Sequence, residues 1–287
     1  MTAVGMVRAF PDGTRLAEAA AMLIVEEAVR AVERWGRFTV ALGGGSSPRE
    51  TYALLTESPV CDAIPWDESH FFWGDERCVD SRDPRSNERM ARDLFLDHLP
   101  VPREQIHPMR CGGTGTEEDA LATAEGYEAL LRGMFESAGR DAPRGLDLVI
   151  LGLGDDGHTA SLFPGSAAAA EREKWVTVSY AEPHGPDSLG PVKALGTWRV
   201  TLTASFINMA ETVVFLVSGA TKPDIVRRVL EGVEERDATL PARLIRPASG
   251  RLYWFLDNQA AALVPSALRN GGLARADACA RPREGAR

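Results

Sequence analysis

The residues best placed to do chemistry are Asp155, Asp156 and His158. They sit among glycines in Leu151-Gly-Leu-Gly-Asp-Asp-Gly-His-Thr-Ala-Ser-Leu-Phe-Pro-Gly165. A histidine with an ordinary pKa near ~6.5 takes up and returns a proton at neutral pH. Asp156, two positions earlier, is placed to orient that ring or to stabilise its imidazolium. Gly152, Gly154 and Gly157 clear space for backbone turning or for close approach of a ligand. The same residues would also suit a solvated turn after a strand, so their meaning depends on what converges on them.

Four further clusters bear on that question. Gly43-Gly-Gly-Ser-Ser-Pro48 resembles an anion cradle in which Gly44, Gly45, Ser46 and Ser47 offer N–H groups at a helix start. Ser47 reads equally as an N-cap, with Pro48 at the first helical position and Glu50 closing a capping box. The Lys-Ser/Thr of a nucleotide loop and the glycine spacing of a dinucleotide fingerprint are both missing, so neither ATP nor NAD is implied. Trp73-Gly-Asp-Glu-Arg-Cys78 is either a charged surface turn or a functional one. In the second case Arg77 serves an anion or developing oxyanion, and Asp75 serves hydroxyls or protonation. Arg199 is either a strand-edge charge or a phosphate ligand. Of the 32 basic residues only Lys174, Lys193 and Lys222 are lysines, a bias that Arg-rich codon usage explains in the main. Lys222, in Ser218-Gly-Ala-Thr-Lys222, is a compact ammonium suited to a phosphate in a tight pocket. His70, His98 and His107 read as structural or surface residues, and His184 lies in a possible lid.

These clusters need a frame. Short apolar runs alternate with amphipathic stretches, which favours a mainly parallel, Rossmann-like sheet with helices on both faces in one three-layer α/β domain. Strands are expected at Phe38–Leu42, His70–Trp73, Leu146–Leu153, Trp175–Tyr180, Val200–Thr203, Thr212–Val217 and Leu252–Leu256. Helices are expected at Thr14–Trp35, Pro48–Thr56, Pro84–Leu99, Glu117–Ala138, Lys222–Glu231 and Gln259–Val264. Four of the polar clusters follow a strand directly. In an open parallel sheet, ligands bind beyond the carboxyl ends of the strands, so these loops aim at one edge. Gly139–Gly145 and Glu182–Thr197 read as surface loops, the second long enough to act as a lid. The domain is expected over residues 1–269, with Asn270–Arg287 as a disordered tail.

Composition removes other classes. The chain has 287 residues, 44% of them hydrophobic, enough for a sizeable core. A net charge of -9 argues against nucleic-acid and anionic-membrane partners. No apolar run approaches the ~20 residues of a membrane span, and the first residues lack the layout of a signal peptide. Cys61, Cys78, Cys111 and Cys279 show no metal-ligand spacing and read as reduced thiols of a cytoplasmic protein. No metal and no cofactor are expected, and a monomer or weak homo-oligomer is.

Taken together, the motifs resemble the 6-phosphogluconolactonase family, which is related to the glucosamine-6-phosphate deaminases. The matching elements are Gly43-Gly-Gly-Ser-Ser-Pro48, Trp73-Gly-Asp-Glu-Arg-Cys-Val79, Ser86-Asn87, the segment Gly152–Gly165, Arg199-Val-Thr-Leu-Thr203, Gly219-Ala-Thr-Lys222 and Leu240-Pro-Ala242. They occur in the family's order. The resemblance implies a cofactor-free hydrolysis of 6-phospho-D-glucono-1,5-lactone to 6-phosphogluconate, in the oxidative pentose phosphate pathway. Under it, His158 is the general base, Asp156 its partner, and Arg77 with Asp75 complete the catalytic set. The phosphate docks on Gly44, Gly45, Ser46, Ser47, Arg199 and Lys222. The related deaminases carry a glutamate five residues after the motif histidine; here Phe163 stands there and cannot carry a proton. The approach to Arg199, Lys193-Ala-Leu-Gly-Thr-Trp198, departs from the family's proline-rich pattern. The alternatives are an amino-sugar-phosphate deaminase-isomerase and a non-catalytic sugar-phosphate-binding protein. A regulator of that kind would need a DNA-reading module ahead of a sheet that already begins by Phe38.

Overall fold

The computed structural model describes residues 3–112, 115–136, 143–181, 196–232 and 235–275. Its strands are β1 (Ala3–Phe10), β2 (Phe38–Leu42), β3 (Ser69–Trp73), β4 (Asp75–Arg77), β5 (Leu148–Leu151), β6 (Val176–Ala181), β7 (Thr197–Leu202), β8 (Thr212–Val217), β9 (Arg251–Asp257) and β10 (Asn270–Arg275). Its helices are α1 (Gly13–Trp35), α2 (Ser46–Ala53), α3 (Val60–Ala63), α4 (Asn87–Ala91), α5 (Glu117–Phe135), α6 (Ala167–Ala170), α7 (Ala204–Ile207) and α8 (Pro223–Glu231). The first helix shows how local chemistry sets such bounds. Asp12 caps it by accepting the Arg15 N–H at 2.8 Å, and Gly36, at φ 73°, ends it in the left-handed region.

Strands β1, β9, β8, β5, β2 and β3 pair in parallel in that spatial order, and β10 adds antiparallel to β1 at one edge. The chain steps outward from β2 to β3, then in the opposite direction from β5 through β8 to β9. The crevice where the direction reverses lies beyond the carboxyl ends of β2 and β5, the usual ligand position in such sheets. Every residue of β2, β5 and β8 is buried, so these strands are covered on both faces.

A strand buried on both faces has no polar side to fix its register. Polar clamps at the strand starts supply what alternation cannot. The Asp147 carboxylate accepts the Thr39 N–H at 2.8 Å and its hydroxyl at 2.7 Å, while the Thr39 hydroxyl accepts the Asp147 N–H at 3.0 Å. This ties the start of β5 to β2, and burial pushes the Asp147 carboxyl up to about 6. Glu27 of α1 accepts from Arg251 at 2.7 Å and from Thr212 at 3.2 Å, pinning the starts of β9 and β8.

A second sheet, antiparallel and in the order β4-β7-β6, stands apart from the first. The segments expected at Trp175–Tyr180 and Val200–Thr203 are therefore strands, but outside the parallel sheet. The third strand of that sheet, paired with β7, is Asp75-Glu-Arg77, which has no apolar residue. Other expectations change too. Pro84–Leu99 is not one helix: Ser86 caps α4 by accepting the Arg89 N–H, and the chain then widens into a π-type turn at Arg92–Leu96. Gln259–Val264 forms turns rather than a helix, anchored by Asp257 accepting the Ala260 N–H. Asn270–Arg275, expected to open a disordered tail, forms β10, and residues 276–287 lie outside the described residues. So do most of the loops expected at Gly139–Gly145 and Glu182–Thr197, with His184. Cys78 and Cys111, expected as thiols, are joined as a disulfide with Cα atoms 5.2 Å apart, because β4 turns back against the loop that precedes α5.

His70 and His107 are structural, as expected. Their rings stack at 5.4 Å with Nδ1 of one 3.1 Å from Nε2 of the other, and His107 also stacks on Phe72 at 4.5 Å. Burial, aided by the neighbouring His70, pushes His107 down to about 4. The fold thus holds His107 neutral, whereas the unfolded ring binds a proton near ~6.5. Stability from this site is complete above that value and is lost as pH falls toward about 4. His107→Phe, which keeps the stacking, should lose less thermal stability than wild type between about pH 7 and about pH 5. Equal losses by thermal denaturation would place the acid sensitivity elsewhere.

Candidate active site

The loops leaving β2, β3, β5 and β8 meet over a cavity of about 760 Å³. Its wall includes all ten residues singled out from sequence: Gly44, Gly45, Ser46, Ser47, Asp75, Arg77, Asp156, His158, Arg199 and Lys222. Positions separated by well over a hundred residues in the chain are thus brought to one rim.

The imidazole is held on one side only. Asp156 Oδ1 lies 2.6 Å from His158 Nδ1 and also accepts the His158 N–H at 3.0 Å. Burial opposes charge on Asp156, but the hydrogen bond and charge of His158, with backbone N–H groups, hold its carboxyl below the usual carboxylate range. An ionised carboxylate can only accept, so Nδ1 carries the proton and the Nε2 lone pair is left to act as a base. The backbone makes room for this pair. A Cβ on Gly154 would run into His158 Nδ1, and Gly157 turns the chain at φ 85°. The loop is backed by the Ala242 N–H donating to Gly157 O at 3.1 Å, which gives the Leu240-Pro-Ala242 segment its place in the pattern.

The glycine loop is built differently from the sequence expectation. Ser47 does not cap α2: that position belongs to Gly45, at φ 99°, and no side chain caps the helix. The capping box with Glu50 is therefore absent, and the Ser47 hydroxyl pairs with that of Ser218 at 2.8 Å. A Cβ on Gly43 would lie 2.6 Å from Ile150 O, so the glycine lets the loop after β2 cross the end of β5. Gly44 faces Asn87 in the same way, since a Cβ there would run into Asn87 Oδ1.

The cations come from the second sheet and from the residue that precedes α8. Arg77 and Arg199 are direct cross-strand partners of β4 and β7, and both line the cavity. Like charges directly opposite each other are destabilising unless something negative lies between them. Arg199 reaches Asp75 Oδ2 at 3.9 Å and lies over the Phe163 ring at 5.6 Å. That ring is also 4.9 Å from the His158 ring, so one aromatic wall serves both groups. Arg77 donates to Asn87 Oδ1 at 3.2 Å, and its Nε is buried with no hydrogen-bond partner among the described residues. Lys222 Nζ donates to Leu153 O at 2.8 Å and to Asp155 Oδ1 at 2.6 Å.

Three polar residues that sequence reasoning left unassigned hold this set together. Asn87 donates to Asp75 O at 2.9 Å while accepting from Arg77. Ser161 donates to Asp75 Oδ2 at 2.6 Å, so the Asp75 carboxylate is occupied in anchoring neighbours. Glu76, almost fully buried, accepts from the N–H groups of Arg77, Asn87 and Glu88 and from the Ser86 hydroxyl, all within 2.9 Å. The charged triplet Asp75-Glu76-Arg77 is the one available signal for Glu76, and nothing in it separates the positioning acid from its neighbour. The described residues contain no group of three or more side chains suited to a metal ion.

A doubly wound α/β frame with an imidazole-carboxylate pair and a cationic, glycine-lined pocket is an arrangement suited to acid-base chemistry on an anionic ligand. Residues 11–254 match the family described as "Glucosamine-6-phosphate isomerases/6-phosphogluconolactonase", and the chain belongs to it. A relative from Nostoc sp. named 6-phosphogluconolactonase is 38% identical over 256 residues, covering 89% of this chain and 97% of that protein. Among solved structures, 6-phosphogluconolactonase from Trypanosoma brucei superposes with a TM-score of 0.74 at 31% identity, covering 90% of this chain and 97% of that one. The Leishmania guyanensis enzyme gives 0.76 at 30% identity, covering 91% and 99%. The mainly parallel α/β fold expected from sequence is the fold of these neighbours.

Burial pushes the Glu76 carboxyl up to about 6 against its four hydrogen bonds. Glu76→Gln would turn an amide N–H₂ toward donors that need an acceptor, and should cost about 2–4 kcal/mol in urea denaturation. Stability within about 0.5 kcal/mol of wild type would show that Glu76 does not organise β4 and α4.

Proposed function

We propose that the protein hydrolyses 6-phospho-D-glucono-1,5-lactone to 6-phospho-D-gluconate, the second step of the oxidative pentose phosphate pathway. The observation that carries this reading is the Asp156–His158 contact at 2.6 Å on the wall of the same cavity as Arg77, Arg199 and Lys222. Family membership and the names of its relatives support it.

His158 Nε2 accepts a proton from water as the water oxygen attacks the lactone carbonyl carbon. Asp156 stabilises the imidazolium so formed. The oxyanion that develops is met by Arg77 and by N–H groups of the glycine loops, each good donor contributing ~10² or more. The bond from the carbonyl carbon to the ring oxygen then breaks. His158 returns its proton to that oxygen, and the acid product releases one proton to solution. Gly44, Gly45, Ser46 and Ser47 with Arg199 and Lys222 hold the phosphate. Asp75 acts through its neighbours, fixing Asn87 and Arg199. No Ser-His pair is needed, because water attacks directly.

A deaminase would need a proton-carrying side chain where Phe163 stands. A cytoplasmic monomer or weak homo-oligomer is the setting we propose. The acidic net charge supports it, and no helix among the described residues is long and apolar enough to cross a membrane. The deciding experiment is pH-stat titration on freshly generated 6-phosphogluconolactone, with ammonia release from glucosamine 6-phosphate as control. Acid release with the lactone and no ammonia is expected; the reverse would overturn the assignment.

His158→Asn should lower kcat by ~10²–10⁴ while 6-phosphogluconate still binds. Near-normal turnover would remove His158 as the base. Lys222→Ala should raise KM roughly tenfold with a smaller effect on kcat, a loss typical of one charge-assisted hydrogen bond. An unchanged KM in steady-state kinetics would take Lys222 out of the phosphate site.

A further inference from the structure

Lys222 carries its own counter-ion. Its ammonium donates to Leu153 O and to Asp155 Oδ1, and with three protons it has one left to offer a ligand. Its side chain is only 21% exposed, so its charge is poorly hydrated, and the contact with Asp155 offsets part of that cost. The two adjacent aspartates are held very differently. Asp156 is fixed by the ring and backbone of His158. Asp155 is 62% exposed and, among the described residues, has no hydrogen-bond partner besides Lys222. It lies in a turn flanked by Gly154 and Gly157 and can pass into water without giving up any other bond.

We propose that Asp155 is an affinity-setting residue that competes with the substrate's phosphate for Lys222. This rests on the reading of Lys222 as a phosphate ligand. A phosphate monoester near neutral pH carries about -1.5 to -2 charge and three acceptor oxygens, against one charge on a carboxylate. It therefore displaces Asp155, at a cost that lowers its net affinity. Product carries the same phosphate and meets the same competition, so Asp155 also weakens retention of 6-phosphogluconate. A neutral, unphosphorylated lactone has no charge with which to displace the aspartate.

The test is isothermal titration of inorganic phosphate and of 6-phosphogluconate into wild type, Asp155→Asn, Lys222→Met and the double variant. Asp155→Asn should bind both ligands about three- to fivefold more tightly, the upper part of the range for releasing one partly exposed ion pair. In the Lys222→Met background the same change should alter Kd by less than about twofold, because the competition has lost its object. Asp155→Ser, with a smaller neutral side chain, should behave as Asp155→Asn does. Unchanged or weaker binding in both single Asp155 variants overturns the proposal. An equal gain with and without Lys222 also overturns it, since Asp155 would then act as a diffuse charge. Hydrolysis of the lactone by the wild-type protein reads the reaction separately. A protein that binds phosphate in this pattern without cleaving the lactone would keep the competition and lose the reaction.

Discussion

A strand covered on both faces has no wet side, and a slip of one residue would exchange one buried side chain for another. Strands β2, β5 and β8 are in that position, buried from end to end. Their relative heights nevertheless decide whether Gly43, Gly152 and Ser218 arrive at the same level above the sheet. Thr39 with Asp147, and Glu27 with Thr212 and Arg251, fix those heights from below. The molecule therefore divides its polar groups between two rims. Those at the strand starts are satisfied within the protein and set register, and those at the strand ends line the cavity. Replacing the lower set with apolar residues would leave a core that packs but no longer specifies one alignment.

The upper rim shows how an acidic protein builds a cationic pocket. The acids near the cavity are each committed in a different way: Asp156 to the histidine, Asp75 to Ser161 and Asn87, Glu76 to the backbone of α4, Asp155 to Lys222. Each carboxylate neutralises or orients something local, and the cations that line the cavity beside them are Arg77, Arg199 and Lys222. Pairing Arg77 with Arg199 across an antiparallel ladder concentrates positive charge where unliganded packing alone would disfavour it. The small second sheet is the device that carries both guanidinium groups to the crevice.

Much of this was legible in the residues. Phe38–Leu42 and Thr212–Val217 match β2 and β8 to the residue, because continuous apolar runs bounded by glycine or serine are strong signals of buried strands. Each proposed site residue lines one cavity, because the clusters follow strand ends and a parallel sheet brings such ends together. The misses have physical causes as well. β4 is Asp-Glu-Arg and offers no hydrophobic pattern to detect. Its existence depends on β7, more than a hundred residues away. Ser47 satisfied every local rule for a cap, yet a contact with Ser218 across 171 positions took its hydroxyl instead. The pairing of Cys78 with Cys111 has no signature in spacing. The Lys222–Asp155 contact likewise links two residues whose types were readable and whose meeting was not.

The register of β1 against β10 places Ala3 opposite Arg275. Because β1 runs parallel to β9 and its neighbours, Ala3 lies at the rim of the strand starts, away from the glycine loops. The described chain thus enters and leaves the sheet at adjacent points on the outer margin. A tether attached at that margin would be separated from the crevice by the full height of the sheet. The geometry makes that margin the natural seam for tethering the enzyme to a surface or to a second catalyst while its mouth stays open to solvent.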